Sequence, residues 1–198
     1  MRIASYIEKI AQAKKGNYIA FFPSYKMMLD VEAQFEYLAG EQIDVIMQMQ
    51  NMREQQREEF LQEFSRPREQ SMVAFCVMGG IFGEGVDLRE NQLIGAIIVG
   101  TGIPQIGGES EILKNFFDAR GGDGFDYVYR FPGMNKVQQA AGRVIRTLSD
   151  VGVIALLDER FLQRDNRRLF PREWEDCRSC TLENVDGLLS EFWETRKA

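Results

Sequence analysis

Histidine is absent from this 198-residue sequence, and cysteine is scarce, with only three residues. Without an imidazole, the sequence excludes hydrolases that use a histidine general base, mixed cysteine and histidine zinc sites, and histidine-based pH switches. Any chemistry must therefore rest on Arg, Lys, Asp, Glu or backbone groups. Cys76, Cys177 and Cys180 are too few for a disulfide framework, and their odd number fits a reducing compartment.

Long apolar runs and signal peptides are also missing. The longest run, at 94–99, falls far short of the roughly 20 residues that a membrane helix needs. We therefore expect a soluble, cytoplasmic protein with no membrane partner. The formal charge of −6 argues against binding nucleic acid by bulk attraction, but it leaves a local basic groove open. With 44% apolar residues and no repeat or linker, the chain is expected to form one domain, 1–198.

Short apolar runs alternate with amphipathic helical patterns along the chain. We predict strands at 18–22, 44–47, 72–78, 93–99 and 151–157, and helices at 3–13, 25–37, 53–64, 111–120, 136–146 and 181–193, the last one capped by Thr181. Alternating strands and helices require right-handed crossovers and a parallel sheet, and fully apolar strands indicate a sheet that is covered on both faces. The predicted fold is a three-layer αβα sandwich with a mostly parallel sheet.

A glycine-rich segment, 79–88, follows one of the predicted strands and contains four glycines and two carboxylates. Ligands bind to open parallel sheets at the carboxyl ends of the strands, and glycine lets a backbone approach a ligand closely. A flexible surface turn is the alternative interpretation. The apolar residues between the glycines favour a packed, shaped loop.

The predicted helix 136–146 has one cationic face. Four residues fall within an arc of about 100°, and these are Gln139, Gly142, Arg143 and Arg146. The opposite face is apolar and consists of Val137, Ala140, Ala141, Val144 and Ile145. Guanidinium groups bind phosphate oxygens bidentately, and the glycine leaves room for close approach. The alternative is an ordinary solvated helix face.

Taken together, these segments resemble the second motor domain of superfamily 2 helicases, most closely the XPD/DinG type. The sequence QAAGRVIR at 139–146 is similar to the Q-x-x-G-R-x-x-R pattern of helicase motif VI. The sequence EGVD at 84–87, within 79–88, is similar to the core of motif V, and 18–25 resembles the strand and turn of motif IV. Three further stretches, 99–104, 152–161 and 169–174, resemble family sequences in the same order.

The resemblance implies a RecA-like fold of the P-loop NTPase type, ATP-driven translocation on single-stranded DNA, and 5′-to-3′ unwinding. It implies that Arg143 and Arg146 reach the phosphates of ATP across a cleft between two motor domains, one of them as an arginine finger. The residues implied to bind ATP or to couple its state to DNA are Gln139, Gly142, Glu84, Gly85 and Asp87. Ser24 and Tyr25 are implied to lie near the DNA backbone.

The sequence departs from a complete helicase motor in one respect. It has no G-x-x-x-x-G-K-[ST] phosphate loop and no acidic D-E-A-H-like run, so the groups that hold the β-phosphate and Mg²⁺ are missing. We expect the first motor domain of the same polypeptide to hold ATP and Mg²⁺, with no metal on this chain. The chain alone is then inactive, and no oligomer is required.

Two other functions stay open at this point. One is a non-catalytic α/β module that binds a nucleotide or a partner protein. The other is a redox or metal protein built on Cys177 and Cys180, although a zinc site needs two more ligands than this pair supplies. A basic cluster, consisting of Arg164, Arg167 and Arg168, is either a surface turn or a contact for nucleic acid.

Overall fold

The computed structural model describes residues 2–82, 93–104, 106–145 and 150–196. Within these residues a single sheet contains strands β1 (Asn17–Phe22), β2 (Ile43–Met47), β3 (Ser71–Val77), β4 (Gly95–Val99) and β5 (Val153–Leu157). The order is β2-β3-β1-β4-β5, and every neighbouring pair is parallel. Ala20, at the centre of β1, pairs with Phe75 of β3 and Ile97 of β4.

Helices lie on both faces of the sheet. The α-helices are α1 (Arg2–Ala13), α2 (Tyr25–Ala39), α3 (Glu54–Gln62), α4 (Gly108–Asp118), α5 (Phe131–Ala141), α6 (Arg164–Arg167) and α7 (Val185–Thr195). Short 3₁₀ turns occur at Gly40–Gln42, Glu63–Ser65, Glu159–Leu162 and Arg172–Trp174, and a π-helical turn, Asp126–Arg130, precedes α5. One core contains residues of α1, α2 and α7, and the other contains residues of α3 and α5. This arrangement confirms the predicted three-layer α/β fold.

The central strand β1 shows why the sheet needs both layers. Ile19 and Phe21 belong to one core, whereas Tyr18, Ala20 and Phe22 belong to the other. Side chains alternate between the two faces of a strand, so every residue of an apolar strand is buried only when both faces are covered. Burial of a phenylalanine side chain such as Phe21 contributes about 1.5–3 kcal/mol.

Helix α5 differs from the predicted helix 136–146 at both ends. It begins at Phe131, with a proline in its first turn, and it ends at Ala141. The amides of Arg143 and Val144 donate to the carbonyls three residues earlier, so the chain tightens into a 3₁₀-like turn. Ile145 consequently leaves the helical spacing and is 42% exposed. Its predicted place on the apolar face was wrong.

The last helix also begins later than predicted, at Val185. Thr181 does not cap it as predicted, because its amide donates to Asn184 Oδ1 at 2.8 Å and its carbonyl accepts from Val185 N at 3.0 Å. Thr181 therefore begins the turn that leads into α7.

Helix α4 is the least covered of the long helices. Its apolar residues Ile112, Leu113 and Phe116 are exposed, and the Arg120 guanidinium lies 3.4 Å from the centre of the Phe116 ring. Among the described residues, the helices are all too short or too polar to cross a membrane.

Candidate functional site

Five segments leave the sheet at its carboxyl edge, and the one after β2 begins at Gln48. The other four begin at Pro23 after β1, Met78 after β3, Gly100 after β4 and Asp158 after β5. Because the strands are all parallel, these loops lie at the same edge, which is where open α/β sheets bind ligands. Residues 23–25 and the described residues 79–82 of the predicted segments therefore share this edge.

Ser24 and Tyr25 form the turn between β1 and α2. Ser24 is the N-cap of α2, since its backbone is extended and its Oγ accepts a hydrogen bond from Met27 N at 3.3 Å. The Ser24 side chain is exposed, whereas Tyr25 is half-buried. Burial raises the pKa of Tyr25 above its usual value, and the hydrogen bond from Gln48 opposes this effect. The phenol therefore stays protonated at neutral pH.

Gln48 connects this turn to the next strands, and the sequence analysis did not single it out. Its Nε2 donates to Tyr25 Oη at 2.7 Å, and its Oε1 accepts from Val77 N at 2.9 Å. The side chain is almost fully buried, with 4% of the residue exposed. A polar residue directly after the apolar strand β2, at the ligand-binding edge, was the signal that could have found it.

The described start of the glycine-rich segment, residues 79–82, begins with the exposed Gly79 and packs onto the core through Phe82. Phe82 is buried and its ring stacks on Phe60 at 4.3 Å. Gly79 has a φ of +72°, a conformation that favours glycine. The predicted site residues Glu84, Gly85 and Asp87 lie outside the described residues.

Helix α5 places the described part of the predicted cationic face near this loop. Gln139 and Gly142 are exposed and Arg143 is half-buried, while Arg146 lies outside the described residues. Four residues predicted on the apolar face are buried: Val137, Ala140, Ala141 and Val144. The aliphatic part of Lys136 lies beside the exposed Gly79, since a Cβ at Gly79 would be 3.4 Å from Lys136 Cε. The helix of the predicted motif VI thus contacts the beginning of the predicted motif V segment.

The loop after β5 is held by a bidentate ion pair. Arg160 Nε and Nη2 donate to Asp158 Oδ1 and Oδ2 at 2.9 and 2.7 Å, and Asp158 also accepts from Arg160 N. Burial acts to raise the pKa of Asp158, but the hydrogen bonds from Arg160 outweigh it and hold the pKa below its usual value. Arg160 is therefore engaged in fixing the loop.

The basic cluster 164–168 is partly used within the fold. Arg168 donates to the buried carboxylate of Asp126, and Arg167 Nη2 lies 3.5 Å from Cys177 Sγ. Cys177 and Cys180 are exposed free thiols, and Cys76 is a buried one. Burial raises the pKa of Cys76 well above its usual range. Within the described ranges, no group of three or more potential ligands could hold a metal ion.

Comparison with known proteins gives one family and several relatives. The family model of the helicase C-terminal domain matches residues 7–177. The ATP-dependent DNA helicase YoaA of Escherichia coli is 27% identical over 166 residues, which are 82% of this chain and 24% of YoaA. The ATP-dependent DNA helicase XPD of Sulfolobus acidocaldarius is 26% identical over 167 residues, which are 81% of this chain and 28% of XPD.

Solved structures are similar in fold. A structure of XPD in its apo form has a TM-score of 0.68 and 22% identity, and the match covers 85% of this chain and 33% of that one. The C-terminal domain of the DEAD-box protein Dbp5 has a TM-score of 0.53 and 12% identity, over 96% of this chain and 90% of that one. These matches confirm the RecA-like fold.

The chain is much shorter than the relatives that it matches. It spans about a quarter of YoaA and XPD, at 24% and 28% of their lengths. The family match and these relatives together confirm the resemblance to XPD/DinG-type helicases. The chain belongs to the helicase C-terminal domain family.

Proposed function

We propose that residues 1–198 form the second motor domain of an ATP-dependent DNA helicase. The observation that carries this proposal is the family match over 7–177, because it includes the predicted motifs IV, V and VI in order. The longer protein would hydrolyse ATP to translocate on single-stranded DNA and to unwind duplexes in the 5′-to-3′ direction. This chain would supply half of the nucleotide site and part of the DNA-binding surface.

Arg143 is the proposed arginine finger, with Arg146 as a second phosphate contact. A guanidinium stabilises phosphoryl transfer by neutralising the negative charge that develops on the γ-phosphate. Arg143 is half-buried at the end of α5, which restricts its side chain more than an exposed position would. Such preorganisation suits a group that acts in the transition state rather than in ground-state binding.

The neighbouring residues on α5 support this role for the helix. Gln139 and Gly142 are exposed, so a nucleotide on an opposing domain can reach them. We propose that Gln139 reports the nucleotide state and that Gly142 leaves room for the phosphates. Glu84, Gly85 and Asp87 would couple the nucleotide to the DNA side, where Ser24 and Tyr25 would lie near the phosphate backbone.

The residues of this chain fit ATP phosphates better than they fit the accompanying magnesium ion. The described residues offer the exposed amide of Gln139 on α5 and the half-buried guanidinium of Arg143 just after it, but no cluster of carboxylates that could hold a metal. Mg²⁺ prefers oxygen ligands and substrate phosphates. We therefore assign its protein ligands to the first motor domain, and Arg143 to the phosphate side of the same cleft.

The test is single-turnover ATP hydrolysis by the full-length helicase that carries this domain. Arg143→Ala should slow hydrolysis by about 10³-fold, the lower end for an arginine finger, and should leave the Kd of ATP nearly unchanged. Arg2→Ala, at an exposed arginine of α1, is the matched control and should leave the rate unchanged. A near-normal rate for Arg143→Ala would exclude the finger, and ATP turnover by the isolated chain would exclude the half-site.

A further inference from the structure

We propose that Gln48 is a positioning residue that couples the DNA-side turn at Ser24 and Tyr25 to the loop after β3. The inference rests on the proposed function, because it assigns a role in the same cycle of DNA binding and nucleotide response. It adds a residue that lies in none of the three predicted motifs. Gln48 follows β2, and it bridges segments that are far apart in the sequence.

Both ends of the Gln48 amide are engaged. The Nε2 group donates to Tyr25 Oη at 2.7 Å, and Oε1 accepts from Val77 N at 2.9 Å. The backbone amide of Gln48 also donates to Phe75 O at 2.9 Å, which holds the residue against β3. With 4% of the residue exposed, water has little access to replace these bonds. A movement of the Tyr25 hydroxyl must therefore move the amide or break a buried hydrogen bond.

The contacts continue from Gln48 into the loop and on to α5. A Cβ at Gly80 would lie 3.1 Å from Gln48 Nε2, so the loop backbone packs directly on the amide. The side chain of Lys136 of α5 lies beside the neighbouring Gly79, where a Cβ would be 3.4 Å from Lys136 Cε. A series of contacts thus joins Tyr25 to the helix that carries Gln139 and that leads into the turn with Arg143. This is a physical connection between the proposed DNA contact and the proposed phosphate contact.

Tyr25 is suited to begin such a response. Its hydroxyl accepts from Gln48 and donates to Met49 O at 3.3 Å, a long bond that a nucleic-acid phosphate can displace. A phosphate that accepts a hydrogen bond from the phenol would replace Met49 O as its acceptor and draw the Tyr25 oxygen toward the DNA. Gln48 would follow the oxygen, and the Val77 amide and residues 78–80 would follow Gln48.

The experiment is hydrogen exchange on the 198-residue chain, with and without saturating oligo(dT) of about 20 nucleotides. In the wild type, DNA should slow exchange by at least about threefold both at 24–28 and at 77–82. Gln48→Met keeps the side-chain length but removes both hydrogen bonds. It should retain the DNA-induced protection at 24–28 and lose that at 77–82.

Two further variants separate coupling from simple loosening of the fold. Tyr25→Phe removes the hydroxyl that accepts the hydrogen bond from Gln48 Nε2, but it leaves the bond between Val77 N and Gln48 Oε1 intact. This variant should therefore also lose the DNA-induced change in exchange at 77–82. Gln70→Met is the matched control, since Gln70 precedes β3 at its opposite end and donates to Asp44 Oδ1 at 2.7 Å. It should behave as the wild type does. A purely structural role for Gln48 would change exchange without DNA and leave the DNA-induced difference intact.

The outcomes distinguish this inference from the function on which it rests. If oligo(dT) changes exchange nowhere in the wild type, the proposed DNA-binding function fails and the coupling fails with it. If DNA protects only 24–28 in the wild type, or still protects 77–82 in Gln48→Met and Tyr25→Phe, the coupling role alone is overturned. Should Gln48→Met fail to fold, Tyr25→Phe still decides between these results.

Discussion

Gly102 and Gly133 are in direct backbone contact where α5 crosses the loop after β4. A Cβ at Gly102 would lie 2.5 Å from the Gly133 carbonyl oxygen, and a Cβ at Gly133 would lie 2.7 Å from Thr101 O. Both obstacles are backbone atoms, which cannot rotate away as a side chain does. We expect Gly133→Ala to lower the free energy of unfolding by about 2–3 kcal/mol, through overpacking, in urea denaturation.

A second glycine gives the matched control for this substitution. Gly187 lies in α7, and a Cβ there would meet no atom within 4 Å. Gly187→Ala should therefore raise the free energy of unfolding by about 0.5–1 kcal/mol, because alanine restricts the unfolded chain and favours the helix. If both variants are stabilised alike, the close approach of α5 to the loop after β4 does not make a side chain at position 133 unfavourable.

The sheet could be predicted from the sequence because its inner strands β1, β3 and β4 are buried on both faces. The run at 18–22 is apolar throughout, and β1 spans Asn17–Phe22. The same reasoning finds β3 and β4 to within about two residues, which is the usual uncertainty at element ends. Parallel pairing then follows from the alternation with helices, and it places the ligand-binding edge at the carboxyl ends of the strands.

The site could be predicted only in part, because its partners come together through tertiary contacts. The motif residues at 139–146 were found from a helical spacing, but α5 ends at Ala141, so only Gln139 among them lies on the helix. Gly142 has a low helix propensity, and the amides of the next two residues donate to carbonyls three residues earlier instead of the four of an α-helix. Gln48 belongs to no motif, and only the folded sheet shows that its amide meets both Tyr25 and Val77.

A buried carboxylate joins the turn before α5 to the segment after β5. Asp126 is 4% exposed and accepts hydrogen bonds from Arg130 and Arg168. Loss of this charge would leave Arg130, whose side chain is 17% exposed, with only the longer contact to Asp165 at 3.7 Å. We expect Asp126→Asn to lower the free energy of unfolding by about 3 kcal/mol, measured by urea denaturation at neutral pH.

The same cluster offers a control for the Asp126 prediction. Asp165 lies 3.7 Å from Arg130 Nη2 and 3.9 Å from Arg168 Nη1, and its side chain is 56% exposed. Solvent screens such pairs, so Asp165→Asn should cost less than about 1 kcal/mol. Equal losses for the two variants would show that burial of Asp126 does not set the strength of its ion pairs, and would contradict the prediction.

Asp158 should give the domain a stability that depends on acid pH. Hydrogen bonds from Arg160 hold its pKa below the usual value against the opposing effect of burial. A carboxyl whose pKa is lower in the folded state stabilises the fold above its unfolded pKa of about 3.9, and this contribution disappears as the pH falls through the folded value. Asp158→Asn should therefore lower the free energy of unfolding by about 1 kcal/mol at pH 7, by loss of a charged hydrogen bond. Urea denaturation from neutral to acid pH should show the difference in the free energy of unfolding between wild type and variant disappearing at the acid end.

Glu159→Gln, which removes an exposed charge one residue away, is the control and should change the free energy of unfolding little at any pH. If Asp158→Asn still lowers the free energy of unfolding at acid pH, the carboxylate charge is not what holds this loop.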